Sequence, residues 1–291
     1  MKHEFWISAY RLRGEKTLLE DTSAPFQLIP NTWRYWTGDP HLFEDGGKTW
    51  VFAELYDRIL RRGVIGCCEL TEKGPTKWKV CLNMPFHLSY PHIFRREDGI
   101  WMIPESYVGG EIGLYKAVSF PYRWERVRAV KPDIVAVDTT WVHWSGQRYL
   151  LTQAQTNDNT GALMLLKEDG TVCWTGTPAD PYVRPAGPLF EHHGKLLRPS
   201  QNCAGGYGIG LRFNEVLSVS DDDYQEKFLL EISPDQIQCD WSYPVKGIHT
   251  YGQSDRYEVI DLKSFETDLF APVMRPVWAI WRRIKKLFVR N

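Results

Sequence analysis

Asp39-Pro40-His41-Leu42-Phe43 is echoed by Tyr90-Pro91-His92-Ile93-Phe94, by Asp138-Thr139-Thr140-Trp141-Val142 and by Ala186-Gly187-Pro188-Leu189-Phe190, with starts 51, 48 and 48 residues apart. In each unit a large apolar residue follows seven positions after the fifth residue: Trp50, Trp101, Tyr149 and Leu197. A turn marked by Gly47, Gly99, Gly146 or Gly194 lies just before it, which is a hairpin pattern written four times. Third apolar runs follow at 63–70, 112–117, 162–167 and 209–213, and fourth strands are expected around Trp78, Trp124, Trp174 and Phe228. Four short strands per unit of about fifty residues predict a propeller blade, because a four-stranded sheet cannot bury both faces alone and must stack on neighbours. A fifth, less regular unit combines Gly247-Ile248-His249-Thr250-Tyr251 with Tyr257-Glu258-Val259-Ile260-Asp261, and residues 3–29 are expected to complete it. The predicted fold is all-β: a five-bladed β-propeller over residues 1–270, followed by a short amphipathic helix at 271–291.

Composition narrows the function classes. The 291 residues carry 35 Lys and Arg against 36 Asp and Glu, so a chain-wide attraction for nucleic acid is excluded as the default. No basic n-region precedes an apolar run, and no stretch approaches the roughly 18 to 20 apolar residues of a spanning helix, which predicts a cytoplasmic protein. The six cysteines lack C-x-x-C spacing and read as reduced thiols. Aromatic content is high, with 13 Trp, 14 Tyr and 13 Phe. Most suit pleated sheet packing, and a few at a pocket mouth would offer a sugar ring a flat apolar platform. Tyr90 and Trp141 are the first-strand candidates for that contact.

Equivalent residues in a propeller lie on a ring about the axis, so the first-strand starts place Asp39, Tyr90, Asp138 and the Arg184-Pro185-Ala186-Gly187 turn around one mouth. Counting four past each second-strand apolar residue gives Glu54, Glu105, Gln153 and Gln201, with Asp261 in the fifth unit. Any one of these would serve to cap a strand end. Jointly they point acids and amides at one funnel.

Several stretches resemble the propeller domain found at the N-terminus of plant glucosamine inositolphosphorylceramide transferases and as a stand-alone bacterial protein. They are His87-Leu88-Ser89-Tyr90-Pro91-His92-Ile93-Phe94, Ile100-Trp101-Met102-Ile103-Pro104-Glu105-Ser106, Leu114-Tyr115-Lys116-Ala117 and Phe120-Pro121-Tyr122-Arg123-Trp124. Later matches are Arg184-Pro185-Ala186-Gly187, Arg198-Pro199-Ser200-Gln201-Asn202-Cys203, Tyr207-Gly208 and Gly247-Ile248-His249-Thr250. The family is similar in fold to five-bladed furanosidase, fructosidase and mannoside phosphorylase propellers, so the resemblance implies carbohydrate chemistry in the axial funnel and leaves reaction and sugar open. Those hydrolases use a base Asp from blade one, a supporting Asp from blade three and an acid Glu from blade four. Asp39 and Asp138 match the first two. Blade four offers no acid before Glu191, so Glu105 of blade two is the substitute, and the departure shifts the expectation toward transfer.

A transferase needs a base for the acceptor hydroxyl, here Asp39 supported by Asp138 and Glu105, and cations for a departing phosphate, here Arg184 and Arg198. His92, His249 and Gln201 are expected to orient hydroxyls or phosphate. No metal site or other cofactor is expected, since no H-x-x-x-H or paired-Asp spacing accompanies the histidines. The expected partners are a nucleotide-sugar donor and a glycan or lipid-linked acceptor. From 275 to 291, Val277, Trp278, Ile280, Trp281, Ile284, Leu287 and Phe288 recur at helical spacing opposite Arg282, Arg283, Lys285, Lys286 and Arg290. That pattern predicts attachment to an anionic membrane surface on the cytoplasmic side. The function expected is glycosyl transfer in cell-envelope or lipid-linked polysaccharide assembly. A glycosidase or phosphorylase, and a glycan-binding module without catalysis, are the alternatives.

Overall fold

The computed structural model describes residues 2–155, 161–176 and 184–267, and shows five antiparallel sheets arranged as the blades of a propeller. Blade one runs Tyr35–Asp45, Lys48–Asp57 and Arg62–Thr71, with an outer strand split into Gly74–Pro75 and Lys79–Leu82 on either side of Trp78. Blade two is Ser89–Arg96, Gly99–Glu105, Glu111–Ser119 and Arg123–Pro132. Blade three is Ala136–Trp144, Gln147–Gln155, Gly161–Leu166 and Val172–Gly176. The repeated residues pair across the first hairpins as expected: Phe43 faces Trp50, Phe94 faces Trp101, Val142 faces Tyr149 and Phe190 faces Leu197. Three of those hairpins turn on two residues of positive φ, Gly46-Gly47, Ser145-Gly146 and His193-Gly194, the geometry that matches strand twist.

Blade four departs from the repeat. Its strands are Phe190–His192, Lys195–Asn202, Gly210–Val219 and Tyr224–Ile232, so the first begins four residues later than Ala186. Pro185 and Pro188 have no N–H to give a ladder, and Gly187 sits at φ 135°. Blade five is Tyr251–Gln253 and Tyr257–Thr267, completed by Lys2–Leu12 and Gln27–Leu28. The N-terminal strand pairs with Tyr257–Thr267 along its whole length, which closes the ring with the two ends of the described chain.

The core lies between the blades. Five apolar clusters fill the five interfaces, from Phe52, Ile65, Met102 and Tyr115 between blades one and two round to Tyr10, Val259, Val51 and Cys68 between blades five and one. Each blade therefore buries both faces, as stacking demands. The expected C-terminal helix at 271–291 lies outside the described residues. Among the described residues no helix is long and apolar enough to cross a membrane.

Candidate active site

The first strands of blades one to three share one irregularity. Their register slips between Gly38 and His41, Ser89 and His92, and Val137 and Thr140. The extra residues include Asp39, Tyr90 and Asp138, each held at left-handed φ of 49°, 43° and 55°. A bulge of this kind re-aims a side chain out of the two-faced alternation of a strand. Here it brings Asp39 and Asp138 together near the axis.

Asp39 is 5% exposed and lines a cavity of about 180 Å³ with Trp6, Trp36, Glu54, Glu105, Arg184 and His249 among its walls. Its Oδ2 accepts the Tyr90 N–H at 3.2 Å and its Oδ1 the Thr250 hydroxyl at 3.0 Å. Burial raises its pKa to about 6; Asp138 and Asp261 push the same way, and His249 and Arg184 oppose them. His249 stacks on Trp6 at 3.8 Å between ring centroids. Its Nδ1 lies 2.6 Å from Asp261 Oδ2 and its Nε2 3.8 Å from Asp39 Oδ1. Burial alone would lower the His249 pKa, but Asp261 overrides it and the net direction is upward. Asp261 is in turn fixed by the backbone N–H groups of Asp39, His249 and Thr250 at 2.9 to 3.0 Å.

On the opposite wall, Arg184 Nε donates to Asp138 Oδ2 at 2.6 Å and its Nη2 reaches Glu105 Oε2 at 3.4 Å. Gln201 Nε2 donates to the same Asp138 oxygen at 3.1 Å and to the Pro185 carbonyl. Tyr207 lies under the guanidinium, 5.2 Å from its ring centroid. Asp138 takes the shorter contact, and Glu105, desolvated and beside that carboxyl, has its pKa driven well above the ordinary range in spite of Arg184. The shift favours the proton-bearing form of Glu105. Glu54 is likewise raised by burial, and His87, neutral with its pKa lowered to about 4 by burial and then by Arg62, turns its Nε2 to Glu54 Oε1 at 3.4 Å.

The structure thus gathers Asp39, Asp138, Glu105, Arg184, Gln201 and His249, with Glu54 and Asp261 from the second-strand ring. Other candidates lie elsewhere. Tyr90 is fully buried and crosses the axis below the cavity, its hydroxyl 2.7 Å from Thr140 Oγ1 and accepting the Gly187 N–H at 2.9 Å. It does not line the cavity; it ties blade two to blades three and four. His92 accepts the Trp141 N–H at 3.1 Å, and burial, then His143, lowers its pKa to about 3. Trp141 packs in the apolar interface of blades two and three. Arg198, fully buried, forks onto Glu226 in the outer strand of blade four with contacts of 2.6 and 2.5 Å. Neither Arg198, His92 nor Trp141 lines the cavity. Trp6, Trp36, Tyr56, His87 and Tyr207 line it without having been singled out. Tyr207 and His87 fall in stretches that carry the family resemblance, and Trp6 falls in the N-terminal segment expected to complete blade five.

Asp39, His249 and Asp261 bring donor atoms within 4.8 Å of one another, a set able to approach a metal ion. The 2.6 Å contact between His249 and Asp261 is a hydrogen bond, so a cation there would displace a proton.

Fold and site together define a five-bladed propeller with an acid-lined axial pocket. The catalytic domain of Coprinopsis cinerea GH62 alpha-L-arabinofuranosidase shares the fold, with TM-score 0.53 and 9% identity over 81% of this chain and 93% of that one. An exo-beta-1,3-galactanase from Clostridium thermocellum does so with TM-score 0.54 and 13% identity over 88% and 62%. The chain belongs to the family described as glucosamine inositolphosphorylceramide transferase 1, N-terminal, whose model matches residues 31–275. Glucosamine inositolphosphorylceramide transferase 1 of Arabidopsis thaliana is 31% identical over 215 residues, 67% of this chain and 28% of that protein. Its counterpart in Oryza sativa subsp. japonica is 28% identical over 209 residues, 65% and 27% respectively. The chain thus spans little more than a quarter of the length of the relatives it matches.

Proposed function

We propose that the protein is a carbohydrate-active enzyme that transfers a glycosyl group to an acceptor hydroxyl seated in the axial cavity, in cell-envelope or lipid-linked polysaccharide assembly. The observation that carries this reading is the presence in one cavity of two buried carboxyls in different electrostatic settings, Asp39 with its pKa raised to about 6 and Glu105 with its pKa driven well above the ordinary range. Two groups pushed apart in this way divide the labour of base and acid. Asp39 takes the acceptor proton as the new C–O bond forms at the anomeric carbon. The bond to the leaving oxygen breaks, and that oxygen is met by Glu105 and Arg184. The donor proposed is a nucleotide sugar and the acceptor a glycan or lipid-linked glycan. Residues 275–291 are proposed to hold the enzyme at the anionic inner face of the cytoplasmic membrane, on the strength of their basic amphipathic pattern.

One observation favours hydrolysis or phosphorolysis as a second reading: the guanidinium of Arg184 is already engaged by Asp138 and Glu105, leaving less of it for a donor phosphate. The deciding experiment incubates full-length protein with nucleotide sugars and prenyl-phosphate-linked acceptors, followed by mass spectrometry beside Asp39→Asn. A gain of one sugar, lost in the variant, supports transfer; loss of a sugar supports hydrolysis. Saccharide binding without turnover, unchanged in Asp39→Asn, would reduce the propeller to a binding module.

A further inference from the structure

Away from the axis, the first hairpin of blade four turns on His193 and Gly194, and its tip meets the segment that links the strands Lys2–Leu12 and Gln27–Leu28 of blade five. There His193 Nε2 lies 3.0 Å from Glu20 Oε1. Successive side chains in a flat strand point to opposite faces, but the left-handed φ of His193, 49°, swings its ring beside that of His192, with centroids 4.2 Å apart. One ligand atom from each of Glu20, His192 and His193 falls within a 4.8 Å span.

We propose that Glu20, His192 and His193 form a binding site for a borderline divalent metal ion such as Zn²⁺, which clamps the N-terminal crossing segment to blade four. Two imidazoles and one carboxylate are a donor set zinc accepts, with water completing the tetrahedron. Zinc–donor bonds near 2.0 to 2.1 Å put ligand atoms about 3.3 Å apart along a tetrahedral edge, close to the 3.0 Å already present between His193 and Glu20. Glu20 is oriented for the role, because its other oxygen accepts the Thr17 N–H at 3.0 Å and the Thr17 hydroxyl at 3.3 Å. Such outer contacts fix a ligand before the metal arrives. His193 is 73% exposed, which leaves the ion an open path.

The test titrates chelator-stripped full-length protein with ZnCl₂ by isothermal calorimetry and by thermal unfolding. One ion per chain is expected, with a Tm that climbs with zinc concentration because the site exists only in the folded state. Glu20→Gln and His193→Ala should each weaken binding by about tenfold or more and remove the zinc-dependent rise in Tm, while their metal-free Tm stays at the wild-type value. His249→Ala, which alters the axial cluster, should leave the zinc response in place. Absence of zinc binding in the wild type overturns the proposal. So does binding that persists in Glu20→Gln and His193→Ala and disappears in His249→Ala.

Discussion

Asp39 carries a pH signature of its own. With its pKa near 6 it is a competent base only above that value, so log kcat/KM of the wild type should rise with unit slope up to about pH 6 and then level off. Asp39→Asn should lower turnover by about 10² to 10⁴-fold across the profile, the range expected for removing a general base. Stability supplies an independent reading with the opposite preference. Because the folded pKa lies above the unfolded value of 3.8, the contribution of this group to stability is fully present below about pH 4 and is lost as pH rises through 6. Calorimetry should therefore find Asp39→Asn gaining Tm over the wild type at pH 8 relative to pH 4. A variant that gained nothing at pH 8 would show that Asp39 is not desolvated.

At the scale of the element, the bulge in the first strand of blade two shows how a local irregularity becomes global order. It sends Tyr90 across the axis, where one hydroxyl ties blade two to Thr140 of blade three and Gly187 of blade four. Tyr90→Phe leaves the Gly187 N–H and the Thr140 hydroxyl without that partner and should cost about 1 to 3 kcal/mol in denaturant unfolding, with the ring packing intact. Gly187 is the more demanding position. A Cβ there would stand 1.9 Å from the Tyr251 carbonyl oxygen, at a φ of 135° that other residues rarely adopt. Gly187→Ala should therefore destabilise by about 3 kcal/mol or more, and a cost below 1 kcal/mol would contradict this placement.

Across the whole molecule, closure of the ring by the N-terminal strand is the feature on which the five interfaces depend. Arg11 on that strand and Glu258 on its neighbour form a buried pair at 2.7 Å, with side chains 5% and 0% exposed. Glu258 also accepts the Leu18 N–H and the Tyr251 hydroxyl, so it joins the closing strand, the crossing segment and the inner strand of blade five. Removing one partner of such a pair strands the other charge, and Arg11→Met should cost about 3 to 5 kcal/mol. Deleting residues 2–12 exposes the long edge of Tyr257–Thr267 and should abolish the single cooperative calorimetric transition.

The repeat made the fold readable. Spacings near fifty, glycine-marked turns and the pairs Phe43 with Trp50 and Phe94 with Trp101 are local facts of a chain that folds blade by blade, so four short strands per unit and a ring of five follow from one dimension. Asp39, Asp138, Glu105 and Gln201 share the phase of that repeat and meet near the axis, because equivalent positions in equivalent blades share a radius. Tertiary structure alone decided what a one-dimensional phase does not contain. Tyr90 shares the bulge of Asp39 but does not line the cavity, because its hydroxyl is held by Thr140 and by the Gly187 N–H. Arg198 stands three residues before Gln201, and strand alternation turns it away from the axis toward Glu226. Trp6, His87 and Tyr207 reach the cavity from the closing strand and from loops outside the repeat. The raised pKa values of Asp39 and Glu105 come from burial and from the proximity of Asp138, against the opposing pull of Arg184, and these two charged groups belong to blade three and to the turn entering blade four.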